Sequence, residues 1–250
     1  MHPSRWWLPF LALALVMATG HGMAQSRTRV WDVEFGTPVD RLPLKEFVEP
    51  ACGTDGGPPA LPLESFLSFA LCPVEPATGL REVWFIYDDE WEYIARAQRD
   101  VLGIGRYSAN TLDRQPILTS LLIDGGGLVQ GYRVITDPRA PIELRASSHL
   151  LGGLLRTLVT GANWACADLP RDERERPIDG EFVKQSCQAA AGEHLAKVET
   201  RHLYKAGQDV RDVPRFLDTA AGDFESSARL DVYAAAAVRD APCCRASLRR

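Results

Sequence analysis

Asp88-Asp89-Glu90 and Glu92 form the densest acidic run in this 250-residue chain, and crowded carboxylates serve two chemistries. They can ligate calcium, or act as the acid and base of glycoside hydrolysis. Neither their spacing nor the local glycines match a helix–loop–helix calcium loop. A helical pattern begins at this run, and acids in a first turn are favoured by the helix dipole. The helix-start reading is therefore preferred over a site. Three histidines follow residue 24: His149, His194 and His202. His149 falls at a helix start, where a capping or surface role suffices. His194 and His202 share strand parity, but eight extended residues hold them about 26 Å apart, too far for one metal. No Cys-x-x-Cys or His-Glu-x-x-His occurs, so no metal site is nominated.

Gly103-Ile-Gly105 is expected to end a helix, whereas a dinucleotide fingerprint would sit between a strand and the helix it opens. Asp124-Gly-Gly-Gly127 lacks the Lys-Ser/Thr ending of a phosphate loop and reads as a hairpin turn. There is no Gly-x-Ser-x-Gly elbow. Trp84, Tyr87, Trp91, Tyr93, Tyr132 and Trp164 could line a ligand groove, but aromatics at strand and helix spacing read first as core. No catalytic residue and no cofactor is nominated.

Six cysteines remain: Cys52, Cys72, Cys166, Cys187, Cys243 and Cys244. Their meaning depends on compartment. Arg5, an apolar run from Trp6 to Met17 and the small-residue ending Gly22-Met23-Ala24 have the order of a cleavable secretory signal over residues 1–24. That run is too short for a membrane span, which needs roughly 20 apolar residues, and nothing downstream approaches one. In an exported chain an even cysteine count favours disulfides over a thiol nucleophile. Local pairing of Cys52 with Cys72 and of Cys166 with Cys187 is the simplest scheme, with buried free thiols as the alternative. Loss of Arg5 with the leader brings the net charge from −5 to about −6, which argues against a nucleic-acid partner.

The elements that would position these residues follow from periodicity. Leu63–Leu71 is expected to be a helix with Phe66, Phe69 and Ala70 as its apolar stripe, and Arg81–Tyr87 a strand. The helix from Asp88 should place Trp91, Ile94, Ala95, Val101 and Leu102 on one face. Ile117–Ile123 and Leu128–Thr136 read as a hairpin, stopped by Asp137-Pro138. Ser147 or Ser148 should cap a helix with the stripe Leu151, Leu154, Leu155, Leu158 and Val159, ended by Gly161. Arg171–Arg176 should be an exposed loop. Gly180–Cys187 and His194–Lys205 follow, joined by the connection Gln188–Glu193. In the second, Lys197, Glu199, Arg201 and Lys205 face water and Val198, His202 and Tyr204 face inward. Glu225–Tyr233 is a further strand, and residues 239–250 form a disordered basic tail.

Strands in adjacent hairpins with helices interspersed define an α+β fold: an antiparallel sheet with two or three helices packed on one face. One domain over residues 25–238 is preferred to two lobes, about 25–145 and 146–238. The segments Gly79–Glu90 (GLREVWFIYDDE) and Gly131–Pro138 (GYRVITDP) resemble exported proteobacterial proteins of unassigned function, and Gly36-Thr-Pro with the strand order is similar to small periplasmic helix-plus-meander modules. That resemblance implies a compartment and transfers no activity. The expectation is a periplasmic or secreted, non-catalytic protein that binds a protein or envelope component. A hydrolase using carboxylates near Asp88–Glu92 is one alternative. The other is a small-ligand carrier with an apolar pocket between helix and sheet.

Overall fold

The computed structural model describes residues 27–205 and 224–238, without the side chains of 105–107. The leader and the tail with Cys243 and Cys244 lie outside the described residues. Nine strands form one antiparallel sheet: β1 (Phe47–Cys52), β2 (Arg81–Tyr87), β3 (Thr111–Leu112), β4 (Gln115–Ile123), β5 (Val129–Thr136), β6 (Ala165–Asp168), β7 (Val183–Ala191), β8 (His194–Leu203) and β9 (Glu225–Ala234). Their spatial order is β1-β2-β4-β5-β9-β8-β7-β6, with β3 paired to the end of β4. Two meanders are thus joined where β5 pairs with β9, from Gly131–Tyr233 to Ile135–Arg229. The two segments set apart in the sequence share this one sheet.

The fold is α+β in which the sheet dominates, because the helices are short. They are α1 (Glu90–Ala97), α2 (Val101–Tyr107), α3 (Ile142–Arg145), α4 (Leu151–Thr157) and α5 (Ala235–Val238), with 3-10 turns among them. Strand β2 is buried along nearly its whole length, flanked by β1 and β4 and covered on both faces, which explains its unbroken apolar run. On the inner face, Phe47 stacks on Phe85 at 4.1 Å and Tyr87 meets Phe47 edge-on at 5.3 Å. Val134, Val198, Leu230, Leu151 and Leu155 continue that core beneath α4. Gly152 lets α4 approach β8, since a Cβ there would lie 2.2 Å from Thr200 Oγ1. The outer face carries two small apolar clusters, Ala51–Trp84–Leu118–Ile135 and Leu80–Leu122–Leu195–Tyr233–Val238.

Several expectations require correction. Leu63–Leu71 is a 3-10 helix only over Phe66–Leu71, and Ala70 is exposed while Phe66 is buried. The helix after Asp88 is two helices, broken at Arg99 with φ +57°. Its expected stripe holds only at Ala95, which is buried, and at the half-buried Ile94; Trp91, Val101 and Leu102 are exposed, and Glu92 is buried. Gly103 belongs to the start of α2, where the N-cap Asp100 carboxylate accepts its N–H at 3.0 Å. Ser147 does not cap a helix; its hydroxyl bonds the Leu144 carbonyl and accepts from Gln115. Gln188–Ala191 is strand, and Gly192-Glu193 alone turns the chain into β8. Glu175 is the buried exception in the Arg171–Arg176 loop, paired with Lys184 Nζ at 2.8 Å. The hairpin β4–β5 forms as expected, with Asp124 Oδ1 accepting from Gly126 and Leu128 N–H.

Candidate functional site

Three buried charged residues come from three strands: Glu82 in β2, Arg133 in β5 and Asp231 in β9. The pleat sends all three to the outer face, and the register sets Arg133 beside Asp231, which in turn faces Lys197 of β8. Arg133 is only 1% exposed. Its Nη1 lies 2.7 Å from Glu75 and 2.7 Å from Glu82, its Nε 2.5 Å from Asp231, and its Nη2 3.4 Å from Asp55. Arg229 joins the network at 2.7 Å from Asp231 and 2.8 Å from Asp55.

Covalent and local chemistry bring the two loop carboxylates there. The disulfide Cys52–Cys72 ties the end of β1 to the end of the Phe66–Leu71 turn, with Cα atoms 5.1 Å apart. Asp55 and Glu75 each lie three residues beyond one of its cysteines. Glu82 Oε2 accepts the Asp55 N–H at 2.7 Å, strapping the glycine-rich loop over the sheet. A second disulfide joins Cys166 to Cys187, directly opposite one another on β6 and β7. Two cystines suit an oxidising compartment outside the cytoplasm. No helix among the described residues is long and apolar enough to cross a membrane.

Burial works against the charges of Asp231, Arg133 and Arg229, and pairing prevails. Burial resists ionisation of Asp231, yet Arg133 and Arg229 hold its carboxyl below the usual range. Burial likewise opposes the Arg133 cation, and Asp231, Glu82 and Glu75 more than offset that. Above this floor opens a cleft of about 310 Å³, bounded by Lys197, Glu199 and Arg201 of β8 and by Tyr233, Leu195 and Gln188. The rim pairs are no longer than the floor pairs but more exposed: Lys197–Glu199 at 2.5 Å and Arg201–Glu225 at 3.1 Å, with side chains 19–39% exposed.

The residues singled out from sequence do not assemble into this cleft. Asp89 and Glu90 are exposed, Asp88 accepts the Glu90 N–H at 3.0 Å, and Glu92 turns to Arg96 at 2.5 Å. The acidic run is thus divided between a helix start and an intrahelical pair. The six aromatics divide too: Tyr87 and Tyr132 are inner core, Trp84 is buried on the outer face, Trp91 and Tyr93 are exposed, and Trp164 packs on the core margin. The charged cleft lies on the face away from α4, and a separate inner-face hollow of about 330 Å³, lined by Phe35, Tyr132, Leu158 and Val232, lies beside the end of α4. His149 and His202 correct a further expectation: their rings lie 4.0 Å apart, with Glu181 beside them. His194 is not part of this pair; the turn that leads into α4 brings His149 to His202. The signal that could have found the cleft was Arg133, the lone charge inside the otherwise largely apolar β5, which folding must partner.

The chain matches no family model, no curated protein and no solved structure.

Proposed function

We propose that the protein is an exported, periplasmic or secreted binding protein without catalytic activity, and that the outer-face cleft takes a small zwitterionic or strongly dipolar ligand. The observation that carries this reading is the charge balance of a cleft of ligand size. Arg133, Lys197, Arg201 and Arg229 line it against Asp55, Glu75, Glu199 and Asp231. A ligand bearing both signs leaves that balance intact, whereas a singly charged one does not. The floor pairs are too buried to exchange, since breaking one strands an ion at a cost of about 3–5 kcal/mol. The rim pairs are each worth about 0–1 kcal/mol, so a ligand ammonium and carboxylate can replace them.

The test is calorimetric titration of the purified protein with amino acids, betaines, small dicarboxylates and diamines. Zwitterions are expected to bind, and Lys197→Met with Arg201→Met to abolish binding while the melting temperature holds. Binding that survives both substitutions, or that favours the singly charged compounds, overturns the cleft as the site.

A further inference from the structure

The inner face carries a second arrangement, independent of the cleft. Ser226 on β9 donates its hydroxyl hydrogen to the Ala146 carbonyl at 3.2 Å. With that hydrogen committed, its oxygen accepts from His149 N–H at 3.2 Å and from His149 Nδ1 at 3.0 Å. His149 is therefore held as the Nδ1–H tautomer, and its Nε2 lone pair points to Glu181 Oε1, 3.7 Å away. This is how a polar neighbour orients a metal-binding imidazole.

His202 lies against that ring, buried at 6% exposure, and its Nδ1 has no hydrogen-bond partner. A buried polar atom left so is costly, and among the three such atoms of the described residues only this one belongs to an imidazole. Glu181 arrives from the tight turn Ile178–Glu181, closed by reciprocal backbone bonds of 2.8 Å. Asp179 and Gly180 at its tip both take left-handed φ, +48° and +88°. The charges that act on His202 are Glu181 and Asp179, both negative.

We propose that His149, Glu181 and His202 form a binding site for a divalent transition-metal ion of the zinc type. One ligand atom from each lies within 4.8 Å of the others. Zinc bonds of about 2.0–2.2 Å require a somewhat tighter set, and the Glu181 side chain, 58% exposed, is free to close on the buried imidazoles. Two imidazole nitrogens and one carboxylate select zinc, copper or nickel over calcium and magnesium, which prefer oxygen alone. Solvent reaches the site on the Glu181 side, leaving the fourth position to water.

The test uses the exported chain with both cystines formed, carrying Cys243→Ser and Cys244→Ser so that no thiol competes, and stripped with chelator. Titration with Zn²⁺ is expected to give one ion per chain with a Kd on the order of micromolar or tighter, and Ca²⁺ no binding. Glu181→Gln should weaken Zn²⁺ about tenfold or more without changing the metal-free melting temperature, and His202→Gln should abolish binding. Co²⁺ should give visible d–d bands with no thiolate charge transfer. Absence of stoichiometric Zn²⁺ binding, or unchanged affinity in Glu181→Gln, overturns the site; should His202→Gln not fold, Glu181→Gln decides.

Discussion

Arg133 and His202 are both almost closed off from water, on opposite faces of the same sheet, and their surroundings differ in kind. Arg133 meets four carboxylates within 3.4 Å, and Arg229 completes the set. His202 has a buried nitrogen with no partner and a second imidazole 4.0 Å away. Closed ion networks hold their members in place and give nothing to a ligand without breaking. An unpaired imidazole beside a carboxylate keeps a lone pair to offer. The difference separates a scaffold, above which a ligand can exchange rim pairs, from a set of donors awaiting an ion.

The largest expected effect breaks the scaffold. Arg133→Met leaves buried carboxylates without their cation and should cost about 3–5 kcal/mol, read as a lower urea midpoint at unchanged m value. A loss under about 1 kcal/mol would mean that the outer face is an open charged surface, and the contrast with His202 would collapse. Next comes the tie that delivers Asp55 and Glu75: replacing Cys52 and Cys72 by Ser should cost about 3 kcal/mol by thermal denaturation. The corresponding change at Cys166 and Cys187, which positions neither site, should leave ligand titration of the cleft unaltered.

The inner face should respond to metal and proton. Zn²⁺ at about 100 times its Kd should raise stability by about 2.7 kcal/mol, and the same Zn²⁺ concentration should give Glu181→Gln about 1.4 kcal/mol or less. In metal-free protein the two faces should titrate in separate windows. Burial lowers the affinity of His149 and His202 for protons, with His202 adding to the effect on His149, against opposing pull from Glu181 on both and from Asp179 on His202. An unfolded imidazole titrates near about pH 6.5. With the folded values depressed, the unfolded chain takes up protons first, so stability present above about pH 6.5 is lost as pH falls through the folded values. The Asp231 carboxyl is also held low, so its contribution persists until pH falls below about 3.9 and is lost beyond that. Stability measured against pH should therefore decline in two steps, and His202→Gln should shrink only the upper one. A single step near pH 4 would mean that the histidines are not desolvated.

The smallest effect concerns the acidic run. Asp89→Asn should change stability by less than about 0.5 kcal/mol, because Asp89 is exposed and its side chain caps nothing. A larger change would return that cluster to consideration as a site.

The sequence by itself determined the strands with strong local signals. Arg81–Tyr87 and the Asp124–Gly127 hairpin are fixed by β-branched runs and turn glycines within a few residues, whereas local cysteine pairing is only the simplest scheme until the fold sets the partners side by side. Glu82, Arg133 and Asp231 drew no notice in the sequence, where nothing shows that they meet. Only the tertiary structure decided that, because β5 pairs with β9, and Arg133 and Asp231 are 98 residues apart along the chain. The same holds for the histidines. Extended geometry correctly separates His194 from His202 along β8, but it says nothing of His149, which a crossover lays upon β9. Periodicity reports which way a side chain points; which other side chain it meets depends on non-local pairing, and both candidate sites are made of such meetings.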